Sequence, residues 1–344
     1  MDIKKMLFEL LEARGLPGQE FDAGKVAAKY LEKYADVSTD DMGNLTAVSG
    51  NREAPFSLLL DAHLDKIGII VTSVTDKGFV RFDKTGGIDL RVLPGHEVTV
   101  YGKQPLFGIV SCMPPHLMSD SDTKKLQDFD SLAIDVGLSP EKAKELIRPG
   151  DRIELKGKPQ NLCDDIVASA GLDNRASVAA LIYALYLLKD KPIGIKLTVL
   201  LSAQEETGER GAMTAAFKSD ANEAISVDVG FGYSPDCKKE KCGQLAKGVM
   251  IGFAPVLSLS MTERLMELAK DNKIDYQYDI MGDTTGTNAD VISVSKSGIS
   301  TALLSIPLKY MHTTVETVCI KDIVSTAELI AQYVLDRSKT VGKA

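Results

Sequence analysis

The segment LLSAQEETGERGA, residues 200–212, carries two adjacent glutamates, Glu205 and Glu206, where an apolar run ends. The run before them, IGIKLTVLLSA, is β-branched and apolar along most of its length, the pattern of a strand buried on both faces of a sheet. Other apolar runs end in ligand-type residues as well. FSLLLDAHLD reaches His63 and Asp65, EAISVDVG delivers Asp228, STALLSIPLKYMHTT leads to His312, and the loop GLDNR before a helix over 176–189 holds Asp173. In open α/β sheets ligands collect beyond the carboxyl ends of the strands, so these five segments converge where a site forms.

Taken singly, each residue has a plain structural reading. A His after a strand is a polar end, Asp173 is a helix N-cap, Glu205 and Glu206 are loop residues, and Asp228 serves a turn. All of these readings would have to hold at once. Gathered in one cleft, Asp65, Asp173, Glu205, Glu206 and Asp228 would repel and push carboxylate pKa values upward unless cations were present. If His63, Asp173, Glu206, Asp228 and His312 are the direct ligands of two divalent ions, three carboxylates leave a net positive charge that a bound hydroxide neutralises. A metal of this kind lowers the pKa of bound water to about 7 and makes a nucleophile for hydrolysis at neutral pH. Five side chains for two ions also imply a bridging carboxylate, with room left for water and substrate. His96 and His116 sit among turn residues and are assigned to no site.

The elements that must position these groups follow from the texture of the chain. The first 35 residues read as two helices split by RGLPGQE, and LTAVSG and FSLLLDAH read as strands. From about residue 66 to 165, short β-rich pieces such as IGIIVTSV, GFVRFDK, HEVTVYG, LFGIVSC and DRIELKG alternate with turns, which predicts a small barrel or sandwich. After it come the helix RASVAALIYALYLLKD, the strand ending at Glu205, the strand EAISVDVG, a helix around TERLMELAKDN, the strand STALLSI and a C-terminal helix from about Ile320. Alternating strands and helices predict an α/β fold, a mostly parallel mixed sheet flanked by helices. The expected domains are therefore 1–65 with 166–344, and an inserted β-rich block over 66–165.

The 344 residues, 44% hydrophobic and 26% charged, are ordinary globular composition with length for two cores. A net charge of −8 argues against a nucleic-acid groove. The runs DTKK and CKKEKC read as solvated turns. Asp2, Glu9 and Glu12 argue against an N-terminal signal sequence, and no segment is apolar for the length of a membrane helix, so a cytoplasmic protein with no membrane partner is expected. The five cysteines are expected to be free thiols, with Cys237 and Cys242 the only pair spaced for a clip.

The motifs HLDKIG, GLDNRASVAALI, SAQEETGERGA, VDVG, KCGQLAKGVMIGFAP, GTNAD and YMHTTVE, in this order, resemble those of the M42 metallo-aminopeptidases across nearly the whole chain, a family once labelled cellulases or endoglucanases. The resemblance implies a metallo-exopeptidase fold with an inserted dimerisation domain and removal of N-terminal residues from short peptides. It implies two divalent ions, zinc or cobalt, with manganese also suited to the donor set. His63 and Asp228 would hold one ion, Glu206 and His312 the other, and Asp173 would bridge. Asp65 would orient His63, and Glu205 would be the general base that takes the proton from metal-bound water and passes it to the leaving amine. A homo-oligomer is implied too, dimers assembling to a dodecamer with enclosed active sites. The family more often has Glu at Lys66 and Asp at Asn288, and Ser-Pro after the last His.

Three rivals differ in what they require. A dinuclear amidohydrolase acting on acylated amino acids would need no free amine. A glycosidase would need its acid pair across a bond, about 5–9.5 Å apart, not at chain neighbours, and the chain lacks Trp for sugar stacking. A scaffold or binding homologue would have lost activity while keeping the ligands.

Overall fold

Met6, Leu7, Leu10 and Leu11 share one face of the first helix, α1 (Ile3–Glu12), and are buried there; Asp2 caps it by accepting the Lys5 N–H at 3.0 Å. Helix α2 (Phe21–Leu31) follows, then strands β1 (Asp36–Thr39), β2 (Leu45–Gly50) and β3 (Ser57–His63). All seven side chains of β3 are buried, so the strand belongs in the middle of a sheet covered on both faces.

The computed structural model describes residues 1–117, 128–235 and 237–341, so the DTKK run lies outside the described residues. The chain divides into two compact units, one of 1–66, 159–311 and 315–344, the other of 67–158 with 312–314.

The smaller unit is a closed six-stranded barrel. Its strands are β4 (Gly68–Val74), β5 (Val80–Thr85), β6 (Glu97–Tyr101), β7 (Pro105–Ser111), β8 (Ala133–Asp135) and β9 (Arg152–Leu155), with helix α3 (Pro140–Leu146). They close in the order β4-β5-β8-β7-β6-β9, which leaves no open edge. Inward-facing residues such as Ile69, Val98, Val100, Ile134 and Ile153 fill a core of their own.

The larger unit adds β10 (Gln160–Asn161), β11 (Ile166–Ser169), α4 (Leu172–Leu188), β12 (Lys196–Ser202), α5 (Arg210–Lys218), β13 (Glu223–Phe231), β14 (Val249–Phe253) and α6 (Leu259–Asp271). The chain ends with β15 (Tyr276–Ile280), α7 (Ala289–Ser293), β16 (Ser300–Lys309), β17 (Glu316–Cys319) and α8 (Ile320–Val341). Eleven strands form one mixed sheet in the order β1-β2-β12-β3-β13-β16-β17-β11-β10, with β14 and β15 attached through β16. The expected α/β architecture is present. Parallel pairing is concentrated at the centre, in β12, β3, β13 and β16, while the outer strands pair antiparallel apart from β14 with β15.

Side-chain alternation sorts the central strands by face. Leu58, Leu60, Ile225 and Val227 enter the main core beneath α4 and α8, whereas Leu59, Leu200 and Ala224 enter a smaller core with Ala212, Ala216 and Ile292 of α5 and α7. By the same alternation Asp61, His63, Ser202, Ser226 and Asp228 share the second face.

Candidate metal centre

The loop carrying the two glutamates is shaped by side chains from far earlier in the chain. Its first four residues, Ala203 to Glu206, each donate a backbone N–H to a side-chain oxygen. Ala203 donates to Asn44 Oδ1 at 2.9 Å, Gln204 to Glu20 Oε1 at 3.1 Å, Glu205 to Asp65 Oδ1 at 3.0 Å and Glu206 to Asp65 Oδ2 at 3.1 Å. Asn44 also closes the loop from behind, its Nδ2 donating to the Gly211 carbonyl at 3.1 Å. Gly211 fits because it lacks a side chain: a Cβ there would lie 2.2 Å from Asn44 Oδ1. Gln204 takes a left-handed backbone, φ 58°, uncommon for a residue with a side chain.

His63 ends β3 with 1% of its surface exposed. Its Nδ1 lies 3.0 Å from the backbone carbonyl of Asp65; a carbonyl only accepts, so Nδ1 carries a proton and Nε2 is the nitrogen left for a metal in the neutral ring. That nitrogen faces Asp173 Oδ1 at 3.2 Å, Asp228 Oδ1 at 3.7 Å and Glu205 Oε2 at 3.8 Å. His63, Glu205 and Asp228 each offer a ligand atom within 4.8 Å of the others. The Asp65 carboxylate is 3.6 Å from Nδ1, with its oxygens on the two glutamate amides, so the shorter contact to the imidazole comes from the Asp65 backbone.

The electrostatics is that of a site short of positive charge. Burial alone would lower the His63 pKa, but the carboxylates of Glu205, Asp173, Asp228 and Asp65 outweigh it and hold the imidazole well above its ordinary value. Burial pushes Glu205 up to about 8, opposed by His63 and reinforced by Asp228, Asp173 and Asp65. Asp228 is raised by burial too, with His63 opposing. Without cations, the cluster takes up protons. The donor set, oxygen and imidazole with Nδ1 already tied to a carbonyl, fits a divalent ion.

The start of α4 is kinked, with Gly171 at φ 76°. Asp173, in an extended conformation, and Asn174 both have non-helical backbone angles and are joined by a cis peptide bond, so Asp173 lies in non-helical backbone ahead of the continuous helix. Its N–H donates to Glu316 Oε2 at 3.1 Å. A Cβ on Gly171 would come within 2.6 Å of the Lys66 side chain, which is 5% exposed. His312, between β16 and β17, belongs with the barrel unit. Its Nδ1 donates to the Gly87 carbonyl at 2.7 Å, the same device that orients His63. His96 Nε2 pairs with Thr314 Oγ1 at 2.6 Å, His116 is exposed, and among the described residues none of the five cysteines is in a disulfide.

Several supporting residues carry no signal in the sequence. Arg175 is fully buried and donates to the carbonyls of Leu64 and Leu10, both at 2.7 Å, fixing the turn after His63. Asn288 donates to Asp61 Oδ2 at 2.9 Å and Ser202 Oγ at 2.8 Å. Asp61 is pushed up to about 6 by burial, against the hydrogen bonds from Ser202 and Asn288. A carboxylate in place of Asn288 would meet Asp61 as a like charge, which explains an amide at this position.

Fold and site together define an α/β protein with a His and carboxylate cluster, able to hold a metal, at the carboxyl ends of its parallel strands. The chain belongs to the M42 glutamyl aminopeptidase family, whose sequence profile matches residues 43–329. A lysyl aminopeptidase of Pyrococcus furiosus is 31% identical over 341 residues, 97% of each chain. The TET aminopeptidase of a marine sediment Thaumarchaeota archaeon superimposes with a TM-score of 0.92 at 26% identity, covering 98% of both chains. The TET1 peptidase of Pyrococcus horikoshii, which can assemble into a tetrahedron or a large octahedral shell, gives 0.85 at 31% identity over 97% of this chain and 99% of its own. The protein is thus an aminopeptidase, a hydrolase of peptide N-termini. Among the described residues no helix is long and apolar enough to cross a membrane.

Proposed function

We propose that the protein is a dinuclear metal-dependent aminopeptidase that releases N-terminal residues from short peptides, with Glu205 as general base. The observation that carries this reading is the buried imidazole of His63, its Nε2 facing Asp173, Asp228 and Glu205. His63 and Asp228 would hold one ion, Glu206 and His312 the second, and Asp173 would bridge. Two divalent ions, zinc or cobalt, would polarise the scissile carbonyl and make water acidic enough to lose a proton near neutral pH.

The chain's own residues do the rest. Burial holds the Glu205 carboxylate up at about 8, and divalent ions held nearby would favour its ionised form; Glu205 would then take a proton from the attacking water and pass it to the leaving amine. Asp65 keeps both glutamates aimed by holding their backbone N–H groups. Acidic groups of the cleft bind the substrate's free amine. The same reading takes the molecule to be a homo-oligomer, dimers built through the barrel unit assembling into a dodecamer, and a native-mass measurement checks it.

The direct test is Glu205→Gln, with metal content and turnover of aminoacyl anilides measured together. Metal is expected to stay bound while kcat falls about 10²- to 10⁴-fold, the usual worth of a general base. Near-normal turnover would sink the assignment. Comparing a free with an N-acetylated peptide separates an aminopeptidase from an amidohydrolase of acylated amino acids.

A further inference from the structure

We infer that Glu20, in the loop between α1 and α2 and outside the segment matched by the family profile, is a positioning residue for the catalytic loop, acting through the backbone of Gln204. The inference rests on the reading of Glu205 as general base. Glu20 is 4% exposed, and one oxygen, Oε1, accepts both the Gly18 N–H at 2.7 Å and the Gln204 N–H at 3.1 Å. The first bond fixes the side chain to its own loop; the second extends that loop's rigidity to the residue immediately before Glu205.

The geometry gives this contact a task that general packing does not. Gln204 is held at φ 58°, a backbone state that L-residues with a side chain seldom adopt without outside constraint. Rotation at Gln204 swings the peptide that leads into Glu205. Asp65 fixes the two following amides and Asn44 the preceding one, so Glu20 supplies the anchor at the one residue of the four with an unusual backbone.

The loop holding Glu20 is itself anchored. The Gly15 carbonyl accepts the Lys66 N–H at 3.1 Å, and the Ala23 N–H returns to the Arg14 carbonyl at 3.0 Å. The segment RGLPGQE therefore acts as a rigid brace, where its glycines and proline had signalled only a helix break.

The test compares Glu20→Ala and Glu20→Gln in the metal-loaded enzyme, with aminoacyl anilide kinetics, metal content and hydrogen exchange over residues 203–211. In Glu20→Ala, exchange in that segment should quicken and kcat should fall about 10- to 100-fold, the scale of a misplacement near 1 Å, with KM and metal content changed less than about twofold. Glu20→Gln keeps an oxygen at the Oε1 position and should restore kcat to within about threefold of the parent. If Glu20→Ala does not fold, Glu20→Asp replaces it, keeping the charge but withdrawing the acceptor by one methylene, and the same fall in kcat is expected. An unchanged kcat, or a loss matched by loss of metal, overturns the inference. The two readings fail separately: activity retained in Glu205→Gln removes the base assignment, whereas unchanged kcat in the Glu20 variants of an enzyme that needs Glu205 removes only the positioning role.

Discussion

Asp65 meets Glu205 at its backbone N–H, 3.0 Å from Oδ1, and spends its other oxygen on the next amide. An amide side chain at this position keeps one acceptor and turns an NH2 group towards the other N–H. Asp65→Asn should therefore leave one donor unpaired, costing about 1–3 kcal/mol, and should lower kcat about 10- to 100-fold. Thermal melts and anilide kinetics on the same preparation check both. If both parameters stay at parent values, the loop does not depend on this carboxylate.

Gly87 sets the place of His312. A Cβ there would lie 2.7 Å from Nδ1 and 3.0 Å from Cε1 of the imidazole. Gly87→Ala should push the ring away, lowering bound metal per subunit and activity in parallel, as elemental analysis and kinetics would record. Full occupancy with full activity would argue that His312 is not a ligand.

A pH dependence follows from Glu20. Burial first, and the Asp65 charge second, raise its pKa from 4.5 to about 7. The folded state then binds the proton more tightly than the unfolded chain. Its contribution is fully present below about pH 4.5 and is lost as pH rises through about 7. Glu20→Gln removes that titration while keeping the acceptor oxygen. Its stability relative to the parent should rise across this window by on the order of 1–2 kcal/mol, discounted for solvent screening. Denaturant melts at pH 5 and pH 8 supply the difference, and a constant difference would refute it.

Metal removal should act on stability as well as on turnover. Chelation leaves Glu205, Asp173 and Asp228 around His63 with no cation to offset them. The melting temperature should fall and then recover with the logarithm of added zinc or cobalt, because an ion that binds only the folded state stabilises it by mass action. A melting temperature indifferent to metal would count against ions at this site.

The central fold was legible because it is written in local texture. Continuous apolar runs mark β3, β12 and β13, and simple alternation puts His63, Ser202 and Asp228 on one face, with Glu205 in the loop just past the end of β12. What was not legible depends on partners remote in sequence. Asn44, Arg175 and Gly87 look ordinary until Ala203, Leu64 and His312 arrive beside them. Closure of the β-rich block into a barrel turns on pairing between β4 and β9, which no local pattern encodes.

The four bonds that bracket Ala203 to Glu206 span 159, 184, 140 and 141 residues of chain. None is local, and contacts of such separation must meet a large loop-closure cost, so they form late relative to the local structure. The glutamate loop therefore has no native shape in a nascent or partly folded molecule. Competence to cut peptides arrives with completion of the fold, so every unfinished chain is an inactive one.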